Sequence, residues 1–344
     1  MQPTTIENLY CCEGKYIYFP SILSLGYKTT VIISLRGGGK TYGALKYFLE
    51  TGERFMYFRR NGRSLEMATD ANFHIFTELN ADLGRHITPS LNHKTGLGVF
   101  EEDGDIVGYA ANLGTFGAIR SLGSAKALGI KWLVFDEFIP QADEVRRYDL
   151  YDAWQNAVET LTRNAEIDGY KVHRLLMANA DTIRGDVVAG LNIADDFLAM
   201  QEQGIEAAIH SRDTLLVRPQ CETLMKLKAD TSLYRDAAGS DFANVALANL
   251  FKVDDRPLIA KRNLQEYKPV AAIDGICIYR HKSRREYYVS MTKAGKPKEY
   301  SGGDADHKRY IRDNAGIWQA FLSKHVLYDS VRAQTIFRRL YKID

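Results

Sequence analysis

The segment SLRGGGKT, residues 34–41, has the residue types of a phosphate-binding loop. In such a loop successive backbone N–H groups point at phosphates, and glycines allow positive φ and close approach of the ligand. Lys40 would reach the β- and γ-phosphates, and the Thr41 hydroxyl would ligate Mg²⁺. Ser34 stands where the usual pattern has its first glycine, which is a mild departure. A simple glycine-rich turn is the alternative. The predicted nucleotide-binding residues are Arg36, Gly37, Gly38, Gly39, Lys40 and Thr41.

A pair of carboxylates follows the apolar run KWLVFDEF at residues 131–138. Asp136, at the tip of the predicted strand, can hold the Mg²⁺ shell, and Glu137 can polarise an attacking water. Taken alone, an Asp-Glu pair after a strand is usually the start of a solvated loop. The lysine-bearing glycine loop upstream favours the catalytic interpretation, in which Thr41 and Asp136 are the metal residues.

Four more polar residues follow predicted strands or helices. Asn179 ends the apolar run LLMANA, where P-loop ATPases of the additional-strand type place a sensor of the γ-phosphate; capping of a turn is the alternative. Arg163, in LTRNAE, is placed like an arginine finger that stabilises transition-state charge. Arg59 and Arg60 close the run FMYFRR and could contact phosphates or a neighbouring subunit. Surface ion pairs are the alternative for these arginines.

These side chains need elements that bring them to one edge of a sheet. The β-branched run at residues 29–35 predicts a strand, and TYGALKYFLETG predicts a helix that Gly52 ends. RFMYFRR, at residues 54–60, predicts the next strand. The order strand, loop, helix, strand therefore predicts a βαβ unit and a parallel sheet.

Later segments predict further elements. GLGVFEE and DIVGYAANL flank the turn dipeptide Asp103-Gly104 and predict an inserted β-hairpin. Residues 147–165 predict a helix, TLLVRP predicts an edge strand, and residues 221–262 predict a helical linker region. VAAIDGICIYRH and EYYVSMTKAG alternate like paired strands, and residues 306–341 predict one or two terminal helices.

Length and composition predict an ordinary globular protein with room for two domains. Of the 344 residues, 45% are hydrophobic and 26% are charged, and no apolar run approaches the roughly 20 residues of a membrane span. No signal peptide is visible in MQPTTIENLY. The four cysteines, of which Cys11 and Cys12 are adjacent, give neither a disulfide framework nor a metal-ligand spacing, which fits a reducing cytoplasm.

Charge is unevenly distributed along the chain. The formal net charge is only +2, yet residues 255–344 contain 19 Lys and Arg against 10 Asp and Glu. This asymmetry predicts that the C-terminal part meets a polyanion such as nucleic acid, and a solvated basic face is the alternative.

Five segments together resemble one family. ISLRGGGKTYGALK, ETGERFMYFRR, WLVFDEFI, LTRNAE and LLMANA, in this order and at these spacings, resemble the DNA-packaging (encapsidation) ATPases of small podophages, which are terminase-like motors. The hairpin with its Asp-Gly turn falls in the same place. The resemblance covers residues 15–220 well and the remainder weakly.

The resemblance implies a fold for each part of the chain. Residues 1–220 would form an α/β additional-strand (ASCE) P-loop NTPase domain with a parallel-rich sheet and an inserted β-hairpin. Residues 221–262 would form a linker region, and residues 263–344 a small C-terminal RNase H-like α+β domain. A nuclease needs converging carboxylates on two metal ions. Asp274 has no convincing partner and Asp304 and Asp306 lie in a Gly-rich loop, so a vestigial nuclease that binds nucleic acid or portal is favoured.

The resemblance also implies residue roles. Transferred to this sequence they are nucleotide and Mg²⁺ binding by Lys40 and Thr41, the Walker B metal shell at Asp136, the catalytic carboxylate at Glu137, a trans-acting finger at Arg163 and a sensor at Asn179. A further basic residue after the second strand can act in trans in this family, and Arg63 is the nearest candidate.

The resemblance finally implies partners and location. It implies a homomeric ring, usually a pentamer, that sits on the portal of an empty procapsid and uses ATP and Mg²⁺ to drive double-stranded DNA through its pore. A structural packaging RNA is a further candidate partner. The ring would work in the host cytoplasm, away from membranes, and be absent from the mature virion. The alternatives are another ring-forming P-loop ATPase of phage morphogenesis, a passive nucleotide-binding scaffold, and a packaging terminase with an active nuclease.

Overall fold

The chain divides into two compact units. The computed structural model describes residues 1–115, 117, 123–140, 149–179, 182, 183, 185–237 and 258–341. The first unit comprises Met1–Thr182 and Asp196–Lys252, and the second comprises Ile183–Asp195 and Val253–Asp344. Among the described residues, no helix is both long enough and apolar enough to cross a membrane.

A ten-stranded sheet forms the first unit. In space the strands follow the order β1, β11, β12, β4, β10, β9, β5, β8, β7, β6, and a separate pair, β2 and β3, completes the unit. The strand bounds are β1 Gln2–Pro3, β2 Tyr10–Cys11, β3 Tyr16–Ile17, β4 Thr29–Ser34, β5 Arg54–Arg59, β6 Ile87–Asn92, β7 Leu97–Glu102, β8 Asp105–Asn112, β9 Ile130–Asp136, β10 His173–Asn179, β11 Ala207–Ser211 and β12 Thr214–Val217.

The six central strands, from β12 to β8, are all parallel, as the strand-loop-helix-strand pattern predicts. The predicted hairpin is confirmed, because β7 and β8 pair antiparallel on either side of Asp103 and Gly104, and β6 adds a third strand. The predicted edge position of TLLVRP is wrong. Strand β12 lies between β11 and β4. Its outer neighbour β11 contains the short apolar stretch at Ala207 and Ala208, and the sequence pattern of that stretch does not predict a strand.

The helices described with this sheet have the bounds α1 Phe19–Leu23, α2 Lys40–Thr51, α3 Gly62–Ala68, α4 Thr77–Leu83, α5 Ala125–Leu128, α6 Leu150–Thr162, α8 Ala194–Gln203, α9 Glu222–Ala229 and α10 Ser232–Asp236. Helix α2 buries Ala44, Leu45 and Phe48 and ends at Gly52, whose φ of 67° is the left-handed cap that the sequence predicts. Phe48 stacks on Phe55 of β5 with ring centroids 5.2 Å apart, so helix and sheet share an aromatic core.

The second unit has a five-stranded sheet in the order β16, β13, β14, β15, β17. The bounds are β13 Tyr267–Ile273, β14 Ile276–His281, β15 Tyr287–Ser290, β16 Lys298–Glu299 and β17 Val326–Tyr328, with helices α7 Asp186–Leu191, α11 Asp304–Asp313, α12 Ala315–Leu322 and α13 Val331–Leu340 and a 3-10 turn at Leu264–Glu266. Strands β13 and β14 pair antiparallel, as do β14 and β15, which confirms the predicted pairing.

The C-terminal part of the chain contains more elements than its sequence pattern predicts. The prediction of one or two terminal helices is wrong, because three helices and strand β17 occupy this stretch. The strand is three residues long, too short for a periodic signal, yet its residues are buried. The helical linker contains α9 and α10, and residues 238–257 lie outside the described residues. The RNase H-like assignment stays a prediction, as do the domain boundaries at residues 220 and 262.

Candidate nucleotide-binding site

The carboxyl ends of the parallel strands bring the candidate residues to one edge of the sheet. Ser34, the last residue of β4, lies opposite Asn179, the last residue of β10. On the other side of β10, Met177 lies opposite Asp136, the last residue of β9. An additional strand thus separates the glycine-loop strand from the carboxylate strand, and ligands of open α/β sheets bind at this edge.

Two glycines in the loop adopt backbone conformations that other residues avoid. Gly37 has φ of 79° and Gly39 has φ of 80°, and Gly39 is also the N-cap of α2. The N–H groups of the first turn of a helix have no partner within the helix, so the start of α2 after Gly39 favours an anion. The loop is held from outside, since Gly38 accepts a hydrogen bond from Ile17 N (3.2 Å) and the carbonyl of Arg36 accepts one from Lys228.

The ammonium group of Lys40 is buried and folds back onto the loop. Its Nζ donates to the carbonyl oxygen of Leu35 at 2.9 Å, to the hydroxyl of Ser34 at 3.1 Å and to the carbonyl oxygen of Ser34 at 3.3 Å. Ser34, which stands in place of the usual glycine, thus accepts hydrogen bonds from the Lys40 ammonium. A phosphate oxygen could replace these neutral acceptors, so the residues present fit a bound triphosphate.

Asp136 accepts three hydrogen bonds although it is almost wholly buried. Its Oδ2 accepts from the hydroxyl of Thr41 and from the phenol of Tyr57, each at 2.7 Å, and its Oδ1 accepts from Glu137 N at 3.0 Å. Complete burial raises the pKa of the Tyr57 phenol well above its ordinary value, so its O–H stays protonated and donates. A hydroxyl beside a carboxylate is the oxygen pair that suits Mg²⁺ next to phosphates.

Glu137 adopts a left-handed conformation, with φ of 54°, which is uncommon outside glycine and asparagine. Its Oε2 lies 2.6 Å from Nη1 of Arg59, the last residue of β5. Burial alone would lower the pKa of the Arg59 guanidinium, but Tyr57, Asp136 and Glu137 around it raise the pKa above its ordinary value. Arg59 is therefore a permanent cation that holds Glu137.

The cleft beside these residues has a volume of about 880 Å³. The predicted residues Arg36, Gly37, Gly39, Lys40, Thr41, Asp136, Glu137 and Asn179 line it. A second group of lining residues comes from the N-terminal segment and includes Cys11, Cys12, Tyr16, Tyr18 and Phe19. Sequence reasoning did not anticipate this second group, because β2 and β3 have only two residues each and show no periodicity.

The remaining arginine candidates lie elsewhere. Arg163 is not among the described residues that line the cleft. It follows α6 and has φ of 42°, and its Nε donates a hydrogen bond to the carbonyl oxygen of Thr160 at 3.1 Å. Arg63, in the first turn of α3, is exposed. Arg60 is buried, with 7% of its surface exposed. The structure thus brings Lys40, Thr41, Asp136, Glu137 and Asn179 together and leaves Arg163 outside this set.

The acidic residues of the second unit have protein partners of their own. Asp274 Oδ2 lies 2.8 Å from Nε2 of His307, and Asp306 accepts hydrogen bonds from the backbone and side chain of Ser301. Among the described residues, no group of three or more His, Cys, Asp or Glu is arranged to hold a metal ion.

Comparison with known proteins supports a family assignment. The family described as podovirus DNA encapsidation protein (Gp16) matches residues 14–278, which is more than half of the chain. The chain belongs to this family. Podovirus DNA encapsidation proteins package phage genomes, so the DNA-packaging role expected from the sequence is confirmed. No curated protein matches the chain.

Two solved structures resemble this encapsidation protein in fold. The bacteriophage Phi-29 viral genome packaging motor assembly matches with a TM-score of 0.66 and 16% identity, over 95% of this chain and 99% of that one. The Phi-28 gp11 DNA packaging motor matches with a TM-score of 0.64 and 16% identity, over 96% of this chain and 99% of that one. These matches and the strand order confirm the α/β P-loop fold.

Proposed function

We propose that this chain hydrolyses ATP with Mg²⁺ at the cleft and uses the reaction to translocate double-stranded DNA into a preformed procapsid. The observation that carries the proposal is the set of contacts at the sheet edge. Lys40 and Thr41 begin α2, the hydroxyl of Thr41 contacts Asp136, and Glu137 lines the same cleft. Membership of the encapsidation family supports DNA as the cargo.

Each residue at the cleft has a task in this proposal. The backbone N–H groups of the loop and the Lys40 ammonium bind the triphosphate, and Lys40 leaves the oxygens of Ser34 and Leu35 to do so. Thr41 and Asp136 would hold Mg²⁺, which neutralises charge on the phosphate oxygens when bound. Glu137 orients a water for in-line attack, and Asn179 reports on the γ-phosphate from the end of β10.

Arg59 controls Glu137 in this proposal. In the structure the Glu137 carboxylate forms a salt bridge of 2.6 Å with the Arg59 guanidinium, and the Glu137 side chain is about half exposed. A carboxylate that is neutralised by a cation is a poor acceptor of a proton from water. Glu137 must therefore loosen its contact with Arg59 before it can orient water, and that step offers a point at which DNA could regulate turnover.

The assembly is also part of the proposal. Arg163, exposed after α6, would reach the cleft of a neighbouring copy as the arginine finger of a homomeric ring, for which a pentamer is proposed. Arg63 is the second candidate for a trans-acting residue. The ring would sit on the portal of the procapsid in the host cytoplasm, with a structural packaging RNA as a candidate partner, and leave before the virion matures. Contacts with DNA phosphates would be independent of base sequence and sensitive to salt.

The decisive experiment replaces Glu137 by Gln and measures ATP binding and phosphate release with and without double-stranded DNA. Glu137→Gln should bind ATP as the native protein does and lose turnover, because the amide cannot accept the proton from water. Glu101→Gln, an exposed carboxylate on β7, is the matched control and should change nothing. Native turnover by the Glu137 variant would contradict the assignment.

Two further results would redirect the proposal. A native protein that binds ATP but shows no turnover stimulated by DNA would be a scaffold. Cleavage of a plasmid in Mg²⁺ or Mn²⁺ would reveal a terminase with an active nuclease, which the described acidic residues of the second unit do not favour.

A further inference from the structure

Tyr57 is a polar residue in the middle of an otherwise apolar part of strand β5. Side chains two apart on a strand share one face, so Phe55, Tyr57 and Arg59 face the same side. Phe55 stacks on Phe48 of α2, which identifies this as the face covered by the glycine-loop helix. On this face Phe55 is apolar, the Tyr57 phenol donates a hydrogen bond to Asp136, and the Arg59 guanidinium pairs with Glu137.

The hydroxyl of Tyr57 is costly to bury unless it is paired. The residue is completely buried, and an unpaired hydroxyl in such a place destabilises the fold. A phenylalanine, as at positions 55 and 58, would fill the same space without that cost. In the described part of the chain, the hydroxyl of Tyr57 donates a hydrogen bond to one carboxylate, Asp136 Oδ2 at 2.7 Å. The hydroxyl thus acts on Asp136 rather than on packing.

The hydrogen bond from Tyr57 takes up one of the acceptor sites of the Asp136 carboxylate. A carboxylate has about four lone-pair sites, two on each oxygen. Thr41 and Tyr57 occupy both sites of Oδ2, and the backbone N–H of Glu137 occupies one site of Oδ1. Within the described part of the chain, the site that remains is on Oδ1. A carboxylate with donors fixed on both oxygens cannot rotate about its soft terminal torsion.

We propose that Tyr57 is a positioning residue for the metal shell. Its phenol fixes the plane of the Asp136 carboxylate, so that the remaining Oδ1 site is held ready for the Mg²⁺ shell. This inference rests on the proposed function, since it needs a metal-nucleotide complex at the cleft. Residues that orient metal-binding groups from behind typically change metal affinity by about 10-fold to 100-fold when they are replaced.

The test compares Tyr57→Phe with Tyr109→Phe. Tyr109 lies opposite Met56 on the neighbouring strand β8 and is buried, so its replacement controls for the loss of a core phenol. A fluorescent ATP analogue is bound first in EDTA and then in a titration with Mn²⁺, and bound Mn²⁺ is counted by electron paramagnetic resonance. Tyr57→Phe should need about 10-fold more Mn²⁺ for half-saturation, with unchanged affinity in EDTA. Tyr109→Phe should match the native protein in both.

The possible results separate the inference from the proposed function. An unchanged Mn²⁺ requirement in Tyr57→Phe overturns the inference while leaving the proposed function intact. Equal weakening with and without Mn²⁺ also overturns it, because general damage to the site would act that way. Failure of the native protein to bind the analogue under any condition would overturn the proposed function, and this inference with it. Circular dichroism of each variant confirms that folding is preserved.

Discussion

The two units of this protein treat their acidic residues differently. Asp136 in the first unit accepts hydrogen bonds from two hydroxyls and lies beside a glycine loop and an open cleft. In the second unit Asp274 pairs with His307, and Asp306 accepts a hydrogen bond from Ser301 and pairs with Arg309. The two regions differ in the side chains that contact the carboxylates directly. The side chains that donate to Asp136 are hydroxyls, which orient a carboxylate without neutralising it, whereas Asp274 and Asp306 each also contact a side chain that can carry positive charge.

Burial sharpens this contrast. Asp136 is 3% exposed, whereas the side chains of Asp274 and Asp306 are 26% and 20% exposed. Charge in a buried position is strongly disfavoured unless it is compensated, so the buried Asp136 should gain most from a cation. The carboxylates of the second unit are closer to water and gain less.

The largest effect is expected where the buried carboxylate is neutralised. Asp136→Asn should lower Mg²⁺-dependent ATP turnover by about 100-fold, because the amide removes the negative charge that we propose holds the metal shell. Steady-state release of phosphate across a range of Mg²⁺ concentrations measures it, and excess Mg²⁺ should restore little of the rate.

Asp274→Asn is the matched control in the second unit. Asp274 has φ of 48°, a conformation that asparagine also accepts, so the backbone should remain unchanged. Turnover should stay at the native level. A similar loss of turnover in both variants would remove the distinction between the two acidic regions.

A smaller effect is expected from releasing Glu137. Arg59→Ala removes a hydrogen bond to a charged group, an interaction of about 1.5 kcal/mol. This energy corresponds to a roughly tenfold larger population of the released carboxylate, so turnover without DNA should rise by about that factor. Arg309→Ala, which removes the cation beside Asp306 at 3.0 Å, should leave turnover unchanged. Turnover without DNA that stays the same in Arg59→Ala would show that this contact does not restrain Glu137.

The contrast also shows how far the sequence could be interpreted. The glycine loop, Asp136 with Glu137, and Asn179 were predictable because each follows an apolar run, and parallel strands end at one edge. The site of Thr41 against Asp136 follows from the same rule. The bond from Tyr57 to Asp136 could not be predicted, because it joins residues 79 positions apart through packing of adjacent strands. The same holds for the pairing of Arg59 with Glu137.

Less of the second unit could be predicted from its sequence. The sequence offers no convincing partner carboxylate for Asp274, and only the structure shows the imidazole of His307 beside it. Strand β17 was missed because three residues have no periodicity, and its burial depends on α13 and β15. The RNase H-like interpretation came from resemblance alone and stays untested.

One glycine in each unit lies close to a side chain of its own region, Gly37 to Lys228 and Gly302 to Asp274. An alanine Cβ at Gly37 would lie 3.0 Å from Nζ of Lys228, and the backbone there has φ of 79°. The strain of about 1 kcal/mol should weaken nucleotide binding roughly fivefold, measured by titration with a fluorescent analogue. An alanine Cβ at Gly302 would lie 2.6 Å from Oδ1 of Asp274 and should displace that carboxylate from His307. Gly302→Ala should lower the thermal midpoint and leave nucleotide affinity unchanged, and weaker nucleotide binding in this variant would contradict the separation of the two regions.

The smallest effect is expected at Asp306, whose side chain is partly exposed. Hydrogen bonds from the side chain and backbone of Ser301 lower the pKa of Asp306, so the charged form is favoured in the folded state. A carboxyl with a lowered folded pKa stabilises the protein above its unfolded value, near pH 4, and loses that contribution as the pH falls through the folded value. Asp306→Asn should therefore lower the thermal midpoint slightly at pH 6 and match the native protein near pH 2. A deficit of equal size at both pH values would show that Ser301 does not depend on the charge, and would place Asp306 with the neutral turn residues rather than with the paired carboxylates.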